Sequence, residues 1–219
     1  MQKYFCICHI FYKFPLKKTF LCDCVLLKIF MYICIMSGDK YYIKDQQKIY
    51  FVTFTVVGWI DVFIRIKYKE IIVNSLNYCI NEKGLQVYAW CLMSSHLHLI
   101  ISAKEGFKLS DIIRDFKKFT SKEIIKTISE AGESRKEWLL NYFKNEGLKD
   151  KRISTYKFWR EDNHAIVLEN ANVSLINQKV KYIHQNPVKE GIVSNEEDYI
   201  YSSAGDFAGR KGLVKIISL

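Results

Sequence analysis

YAWCLMSSHLHLIIS, residues 88–102, is the stretch from which the fold of this chain is predicted. Its apolar residues predict two strands joined by a tight corner at Ser94-Ser95. Because successive side chains of a strand alternate between the two faces of a sheet, His96 and His98 point to the same face. Two imidazoles on one rigid strand are suited to hold a divalent cation. The alternative is two ordinary strand histidines, one of them satisfied by hydrogen bonds.

Hydrophobic periodicity divides the rest of the chain into strands and helices. The predicted elements are strands over 48–57, 85–93 and 96–102, a short strand within 158–168, and helices over 68–81, 109–128 and 173–185, the last ended by Asn186-Pro187. The apolar stripe of the helix over 109–128 is formed by Ile112, Ile113, Phe116, Phe119, Ile124 and Ile128. The pattern predicts an α+β fold, an antiparallel sheet with helices packed on one face.

The length of 219 residues is suited to one substantial core. We expect a single domain over 36–219 with a helical insertion at about 129–155. Residues 1–35 are interpreted as a mis-called upstream extension, because the composition shifts abruptly at Met36 and five of the seven cysteines precede it. Without that segment, cysteine use fits a reducing cytoplasm.

The charge balance indicates a polyanionic partner. The chain carries 33 Lys and Arg against 23 Asp and Glu, a net charge of +10. An excess of this size points to nucleic acid first and an anionic membrane surface second. The apolar segment before Met36 is interrupted by charged residues too often for a membrane span. We therefore expect a cytoplasmic protein with no membrane association.

A second informative segment, KVKYIHQNPVKEG, covers residues 179–191. Tyr182 and Asn186 are four residues apart, so both side chains emerge on one helical face. Tyrosine is a competent oxygen nucleophile for phosphoryl transfer once a cation neutralises the phosphate charge. Asn186 is a candidate oxygen ligand that completes a His-His-Asn site for Mg²⁺ or Mn²⁺. The alternative is an aromatic packing residue followed by an Asn-Pro helix stop.

Taken together, these segments resemble the single-tyrosine transposases of the HUH, IS200-like type, most closely the REP-associated tyrosine transposase-like proteins. The resemblance covers about residues 40–210 and rests on four motifs: His96-Leu-His98 after Trp90-Cys-Leu-Met-Ser-Ser, Phe158-Trp159, Tyr182-Ile-His-Gln-Asn-Pro-Val-Lys-Glu-Gly191 and Tyr201-Ser-Ser-Ala204. It implies a ferredoxin/RRM-like HUH fold and a homodimer.

The resemblance also implies roles for individual residues. His96 and His98 hold a divalent cation that polarises the scissile phosphate, with Asn186 as the helix-borne ligand. Tyr182 attacks and becomes joined to a DNA 5′ end. Ser95 departs from the family, which more often has Asn before the first histidine, and the insertion at 129–155 lengthens the gap between the histidines and Tyr182.

Because of that longer gap, Tyr156 is a reserve nucleophile. Candidate DNA-binding residues are Arg114, Lys117, Lys118 and Lys122 on the basic helix and Lys179 and Lys181 beside Tyr182. A solvated helix face explains the first four nearly as well. His164 and His184 are interpreted as structural.

The leading functional hypothesis is a metal-dependent single-stranded DNA endonuclease and strand transferase that acts at hairpin-bearing DNA. An alternative is a domesticated DNA-binding protein that keeps the fold without transposition. Under either hypothesis we expect the protein to be associated with the prokaryotic nucleoid. A zinc hydrolase of the His-x-His-x-Asp type is set aside, because position 100 is Ile rather than a carboxylate.

Overall fold

A computed structural model describes residues 43–130, 132–150, 155–168 and 173–218. The hypothesis that residues 1–35 are an upstream extension concerns a segment outside these described residues.

The sheet is antiparallel throughout, as predicted. Its strands are β1 (Tyr50–Thr55), β2 (Leu85–Leu92), β3 (His96–Ala103) and β4 (Ile166–Val167), arranged in the order β2-β3-β1-β4. β3 is therefore an interior strand, paired with β2 on one side and β1 on the other. In the register of β1 with β3, Thr53 lies opposite His98 and Thr55 opposite His96.

Within the residues that the structure describes, five helices and three 3-10 turns accompany the sheet. The helices are α1 (Ile66–Glu82), α2 (Leu109–Glu130), α3 (Lys136–Leu148), α4 (Val173–Lys189) and the short α5 (Ala204–Phe207). Three 3-10 turns cover Val57–Trp59, Val62–Ile64 and Glu196–Asp198. Within the described ranges, none of the helices combines the length and the apolar character that a membrane crossing requires.

Both faces of the sheet are covered. On one face, α1 and α2 pack against alternate residues of β1 and β3, and the ring of Phe116 lies 5.9 Å from that of Phe54. On the other face, Val180 and Ile183 of α4 pack against Phe51 and Ile100. The prediction of helices on one face thus holds for α1 and α2, and α4 adds a layer on the face that carries the histidines. The apolar residues on this second face explain why it binds a helix.

The predicted stripe of α2 is wrong at Phe119, whose side chain is 55% exposed. Thr120 is buried in its place, because it lies one full turn beyond Phe116 and so continues the same face. Its hydroxyl donates to the carbonyl of Phe116 at 2.8 Å and accepts from Trp159 Nε1 at 3.0 Å. These two bonds satisfy a hydroxyl that would otherwise be costly to bury.

The predicted stop of the last long helix at Asn186-Pro187 is also wrong. α4 continues through a buried Pro187 to Lys189, and the next turn is closed by hydrogen bonds from Glu190 N to Asn186 O and from Ile192 N to Pro187 O. Proline removes one N–H of the helical ladder, and burial of its ring compensates for that loss. Asn186 therefore lies within the helix, one turn beyond Tyr182.

The insertion predicted at 129–155 contains α3, whose Leu139 and Phe143 side chains join the core on the α1 and α2 face. Its entry is fixed by the buried carboxylate of Glu133. This carboxylate accepts a hydrogen bond from Tyr68 Oη at 3.0 Å and lies 2.8 Å from Arg65 Nε. The insertion is thus anchored to the body rather than being a separate lobe.

The Val57–Trp59 turn at the end of β1 contains Gly58 in the left-handed region, at φ +67°. A Cβ at Gly58 would also overlap the phenol ring of Tyr142 on α3. Gly106 has a similar backbone, at φ +84°, but a Cβ there would meet nothing within 4 Å.

We expect Gly58→Ala to destabilise the protein more than Gly106→Ala does. Both changes place a β-carbon in the left-handed region, at a cost of about 1–2 kcal/mol. Only Gly58→Ala adds the overlap with Tyr142, which should bring at least about 1 kcal/mol more. Urea unfolding followed by circular dichroism measures the free energy of unfolding of both variants. Equal losses of stability would show that the turn and Tyr142 can shift apart without cost.

Candidate active site

The histidine pair begins β3, on the face that α4 covers. His96 and His98 are two residues apart on the strand, and their ring centroids lie 4.6 Å apart. The ring of Phe51, on the neighbouring strand, stacks on His98 at 5.7 Å. The predicted shared orientation of the two imidazoles is thus what the structure has.

A hydroxyl lies beside the Nδ1 atom of each histidine. Thr53 Oγ1 lies 2.9 Å from His98 Nδ1, and Ser95 Oγ lies 3.2 Å from His96 Nδ1. Engagement of Nδ1 fixes the ring and leaves Nε2 as the atom available to a ligand. His98 Nε2 is buried and has no hydrogen-bond partner. The serine that departs from the family pattern thus supplies a polar contact to the first histidine.

Both imidazoles are held in the neutral form. Burial lowers the pKa of His96 to about 4 and that of His98 well below its usual range. The positive charge of Lys179 and the neighbouring His96 lower the pKa of His98 further. Neutral imidazole is the form that binds a metal ion or accepts a hydrogen bond, so the pair is ready to do either at neutral pH.

Tyr182 lies against the histidines. Its ring centroid is 5.5 Å from that of His98 and 6.2 Å from that of Phe51, with both contacts edge-on. The neighbouring Val180 and Ile183 are buried on the sheet and hold α4 in this position. Residues from β1, β3 and α4 thus converge on one point.

Asn186 is half-buried, and its Nδ2 is buried without a hydrogen-bond partner. Four such side-chain atoms occur in the described part of the chain, and Asn186 Nδ2 and His98 Nε2 are two of them. A side-chain amide can turn either its nitrogen or its oxygen to a given point. Unpartnered buried polar atoms call for an explanation, and a bound ion is one.

The donor set fits a divalent cation. Two neutral imidazoles and an amide oxygen suit Mn²⁺ well and Mg²⁺ less well, since Mg²⁺ favours oxygen ligands. The described residues contain no group of three or more His, Cys, Asp and Glu side chains placed to hold a metal. A cation here would therefore rely on His96, His98, Asn186 and oxygens from its substrate or from water.

Two lysines lie beside Tyr182. Lys179 Nζ lies 5.0 Å from the centroid of the Phe51 ring, and Lys189 Nζ lies 5.7 Å from that of Tyr182. Burial lowers the pKa of Lys179. Lys181 is exposed, on the solvent side of the helix. Lys189 is absent from the sequence prediction, although its spacing of seven from Tyr182 puts it on the same face.

The basic helix does not reach this site. α2 packs on the opposite face of the sheet, and Arg114 is paired with Asp111 and Asp115. Lys118 and Lys122 are exposed on that far side.

Lys117, predicted as a DNA-binding residue, is placed differently. Its ammonium donates to Arg160 O at 2.6 Å and to Asn163 Oδ1 at 2.8 Å, and burial lowers its pKa to about 8. Lys117 therefore ties α2 to the segment before β4, on the face of the sheet opposite the histidine pair. Sequence periodicity could not reveal this, because the partner segment is more than forty residues away.

The reserve nucleophile also lies elsewhere. Tyr156 packs against the core on the α1 and α2 face, so the structure does not bring it to the histidine pair. His184 is buried and its Nε2 lies 2.8 Å from Ser203 Oγ, which gives it a structural hydrogen bond. His164 Nε2 lies 2.7 Å from Asp162 Oδ2, at the surface.

The comparisons with known proteins agree with the sequence resemblance. The family model described as "Transposase IS200 like" matches residues 61–156, a range that contains His96 and His98. The resemblance to this family is thereby confirmed over that range. The match ends before Tyr182, so the helix-borne half of the site rests on the motif and on the geometry.

Two solved structures are similar. A REP-associated tyrosine transposase bound to a REP hairpin matches with a TM-score of 0.55 and 18% identity, over 84% of this chain and 93% of that chain. A candidate transposase from Deinococcus radiodurans R1 matches with a TM-score of 0.39 and 13% identity, over 68% of this chain and 98% of that chain. The first match shows that the two proteins share a fold. No curated protein matches the sequence.

We expect the metal-free protein to lose stability as the pH is lowered from about 7 to about 5. Unfolded histidines have a pKa near 6.5, whereas burial lowers the pKa of His96 and of His184 to about 4. Between these pH values the unfolded state binds more protons, so the free energy of unfolding falls with the pH. Each of these two histidines should lower the free energy of unfolding by about 2 kcal/mol at pH 5.

Urea unfolding at each pH measures this loss. The double variant His96→Gln, His184→Gln should show a shallower dependence than the original protein. An unchanged dependence in the double variant would mean that other groups cause the acid sensitivity.

Proposed function

We propose, from the match of residues 61–156 to the IS200-like transposases, that this chain is a metal-dependent single-stranded DNA endonuclease and strand transferase. It would cut hairpin-bearing DNA through a covalent 5′-phosphotyrosine intermediate formed at Tyr182, and would act as a homodimer. The observation that carries the proposal is the contact between the Tyr182 ring and the neutral His98 imidazole, at 5.5 Å.

His96, His98 and Asn186 are the residues that would hold the cation. A divalent cation bound there would withdraw charge from the scissile phosphate and so favour attack on phosphorus. The orphaned His98 Nε2 and Asn186 Nδ2 support this assignment, because each buried polar atom without a partner costs about 1–3 kcal/mol. A site kept at such a cost has a ligand as its simplest explanation.

The reaction of the chain itself is a transesterification. Tyr182 Oη forms a bond to phosphorus and loses its proton to solvent, the bond from phosphorus to the 3′ oxygen breaks, and that oxygen takes up a proton. One fragment then has a free 3′ hydroxyl, and the other has its 5′ phosphate joined to Tyr182. Reversal with a second 3′ hydroxyl transfers the strand, so no external energy source is needed.

Lys179 and Lys189 would balance the phosphate charge around Tyr182. Both ammonium groups lie within 6 Å of a ring of the site. A charge-assisted contact from either lysine also favours ionisation of the attacking phenol. Lys181, on the solvent side, is suited to phosphates further along the strand.

A domesticated DNA-binding protein is the second candidate function. Such a protein would need no nucleophile beside the histidines, and Tyr182 is present there. Hairpin binding without metal-dependent cutting is the result that would favour this candidate.

Replacing Tyr182 by Phe should abolish the covalent adduct between protein and DNA while leaving the fold intact, because only the attacking hydroxyl is removed. The assay is incubation with hairpins that carry a 3′ label and a single-stranded extension, with Mn²⁺, followed by denaturing electrophoresis. Tyr156→Phe is the matched control and should form the adduct normally. An adduct that survives in Tyr182→Phe and disappears in Tyr156→Phe would identify Tyr156 as the nucleophile.

Mn²⁺ should raise the midpoint of thermal unfolding, because a ligand that binds only the folded state stabilises it. At about a hundredfold excess over Kd the gain is about 2.7 kcal/mol. His98→Ala should remove this shift, and the surface variant His164→Ala should retain it. A shift of full size in His98→Ala would place the cation elsewhere.

A further inference from the structure

We propose that the cavity between the Val57–Trp59 turn and α3 binds one nucleobase of a single-stranded DNA, with the indole of Trp59 as its stacking surface. The base is that of a nucleotide next to the phosphate handled at His96 and His98. This inference rests on the proposed function, since it assigns a second binding element to the same substrate.

The side chain of Trp59 is exposed and adds little to the packing of the core. Its side chain is 56% exposed, and its ring centroid lies 5.4 Å from that of His96, edge-on at 73°. An exposed indole beside a candidate phosphate site is the arrangement used to stack unpaired bases. A stacked base here would be adjacent to the first histidine.

The backbone of this residue is strained. Trp59 has a φ of +57°, one of two non-glycine residues in the left-handed region within the described part of the chain. A bulky residue in that conformation costs about 1–3 kcal/mol and persists only where the surroundings impose it. The indole makes an edge-on contact with His96, and more than half of the side chain is open to a stacked base.

The insertion helix α3 packs against this turn. Tyr142 of α3 fills the space in which Gly58 lacks a side chain, so the turn is pressed against α3. α3 also supplies Glu146 to the wall of the cavity. The insertion therefore contributes one wall residue to the cavity, whose other lining residues lie in the Val57–Trp59 turn and between Lys157 and Asp162.

The cavity has a suitable size and charge. Its volume is about 400 Å³, within the range of about 300–1,000 Å³ typical of small-molecule sites. The charged residues that line it are Glu146, Lys157, Arg160, Glu161 and Asp162. Lys157 pairs with Glu161 at 2.9 Å and Arg160 with Asp162 at 3.0 Å.

Glu146 pairs with Lys149, so each of the three carboxylates has a cationic partner and the cavity has no excess positive charge to offer a phosphate. Carboxylates accept hydrogen bonds from exocyclic amino groups, as Glu and Asp do from cytosine N4. Cytosine and adenine carry such a group on their base-pairing edge, and thymine does not. We therefore expect the cavity to favour cytosine or adenine over thymine.

The test measures quenching of tryptophan fluorescence by single-stranded oligonucleotides of cytosine, adenine or thymine, about 12 nucleotides long, without metal. Trp59→Ala should lose most of the quenching and weaken binding by about 5- to 100-fold. Trp59→Phe should recover part of the affinity, because a smaller aromatic ring still stacks. Trp138→Ala is the matched control, since Trp138 is 52% exposed on α3 and lies outside the cavity lining.

The inference is supported if affinity falls in Trp59→Ala, is partly restored in Trp59→Phe and is kept in Trp138→Ala. Equal losses in Trp59→Ala and Trp138→Ala, or no loss in Trp59→Ala, would overturn it. Circular dichroism of Trp59→Ala checks the fold, and Trp59→Phe provides a second variant in case the alanine variant unfolds. Preference for thymine would overturn the assigned role of the carboxylates.

The outcomes for this inference and for the proposed function are separable. If the protein binds oligonucleotides through Trp59 but forms no adduct with Mn²⁺, the stacking site stands and the nuclease proposal fails. If the protein forms the adduct and Trp59→Ala binds and cuts as the original protein does, the nuclease proposal stands and the stacking site fails.

Discussion

The antiparallel pairing of β1 with β3 is the constraint on which the site depends. It puts Thr53 opposite His98 and brings Oγ1 within 2.9 Å of Nδ1. A slip of one residue in this register would turn both histidines towards α1 and α2 and would bury their polar rings in an apolar core. The same pairing places Phe51 beside His98, where it stacks on the imidazole and offers α4 an apolar surface.

The packing of α4 on the sheet brings the helix residues of the candidate site next to the histidines of β3. Val180 and Ile183 fix the helix on the sheet, and the period of the helix then puts Tyr182 over His98 with Asn186 one turn further. Because the helix runs through Pro187, its last turn keeps Lys189 in line with Tyr182. The repeat of two residues on β3 puts both histidines on one face, and the repeat of 3.6 residues on α4 puts Tyr182 and Asn186 on one face of the helix.

The parts of the site that follow from a single local period were predictable from the sequence. His96 with His98 and Tyr182 with Asn186 are pairs of this kind, and the antiparallel sheet and the two long helices that cover one face follow from the same patterns. The placement of Thr53 and Trp59 beside the histidines depends on strand register and on a left-handed turn, which no local pattern specifies. The contacts of Lys117 were not predictable from the sequence either. It lies on an amphipathic helix, but its hydrogen-bond partners lie in a distant segment. The prediction that Phe119 is buried was wrong, because the position one turn after Phe116 is Thr120. The hydroxyl of Thr120 is satisfied by hydrogen bonds in the core.

Several local costs of this fold lie at the histidine pair or on the elements beside it. His98 Nε2 and Asn186 Nδ2 are buried without partners, and the strained Trp59 lies against His96. Elsewhere the protein satisfies unusual buried groups, as it does for Glu133 and for Thr120. Two further buried side-chain atoms in the described residues, Trp90 Nε1 and Asp206 Oδ2, also have no partner, so unpartnered groups are not confined to the histidine pair. The strained Trp59 contacts the first histidine and the unpartnered Nε2 belongs to the second, so both features meet at the histidine pair, where the proposed function puts the DNA strand.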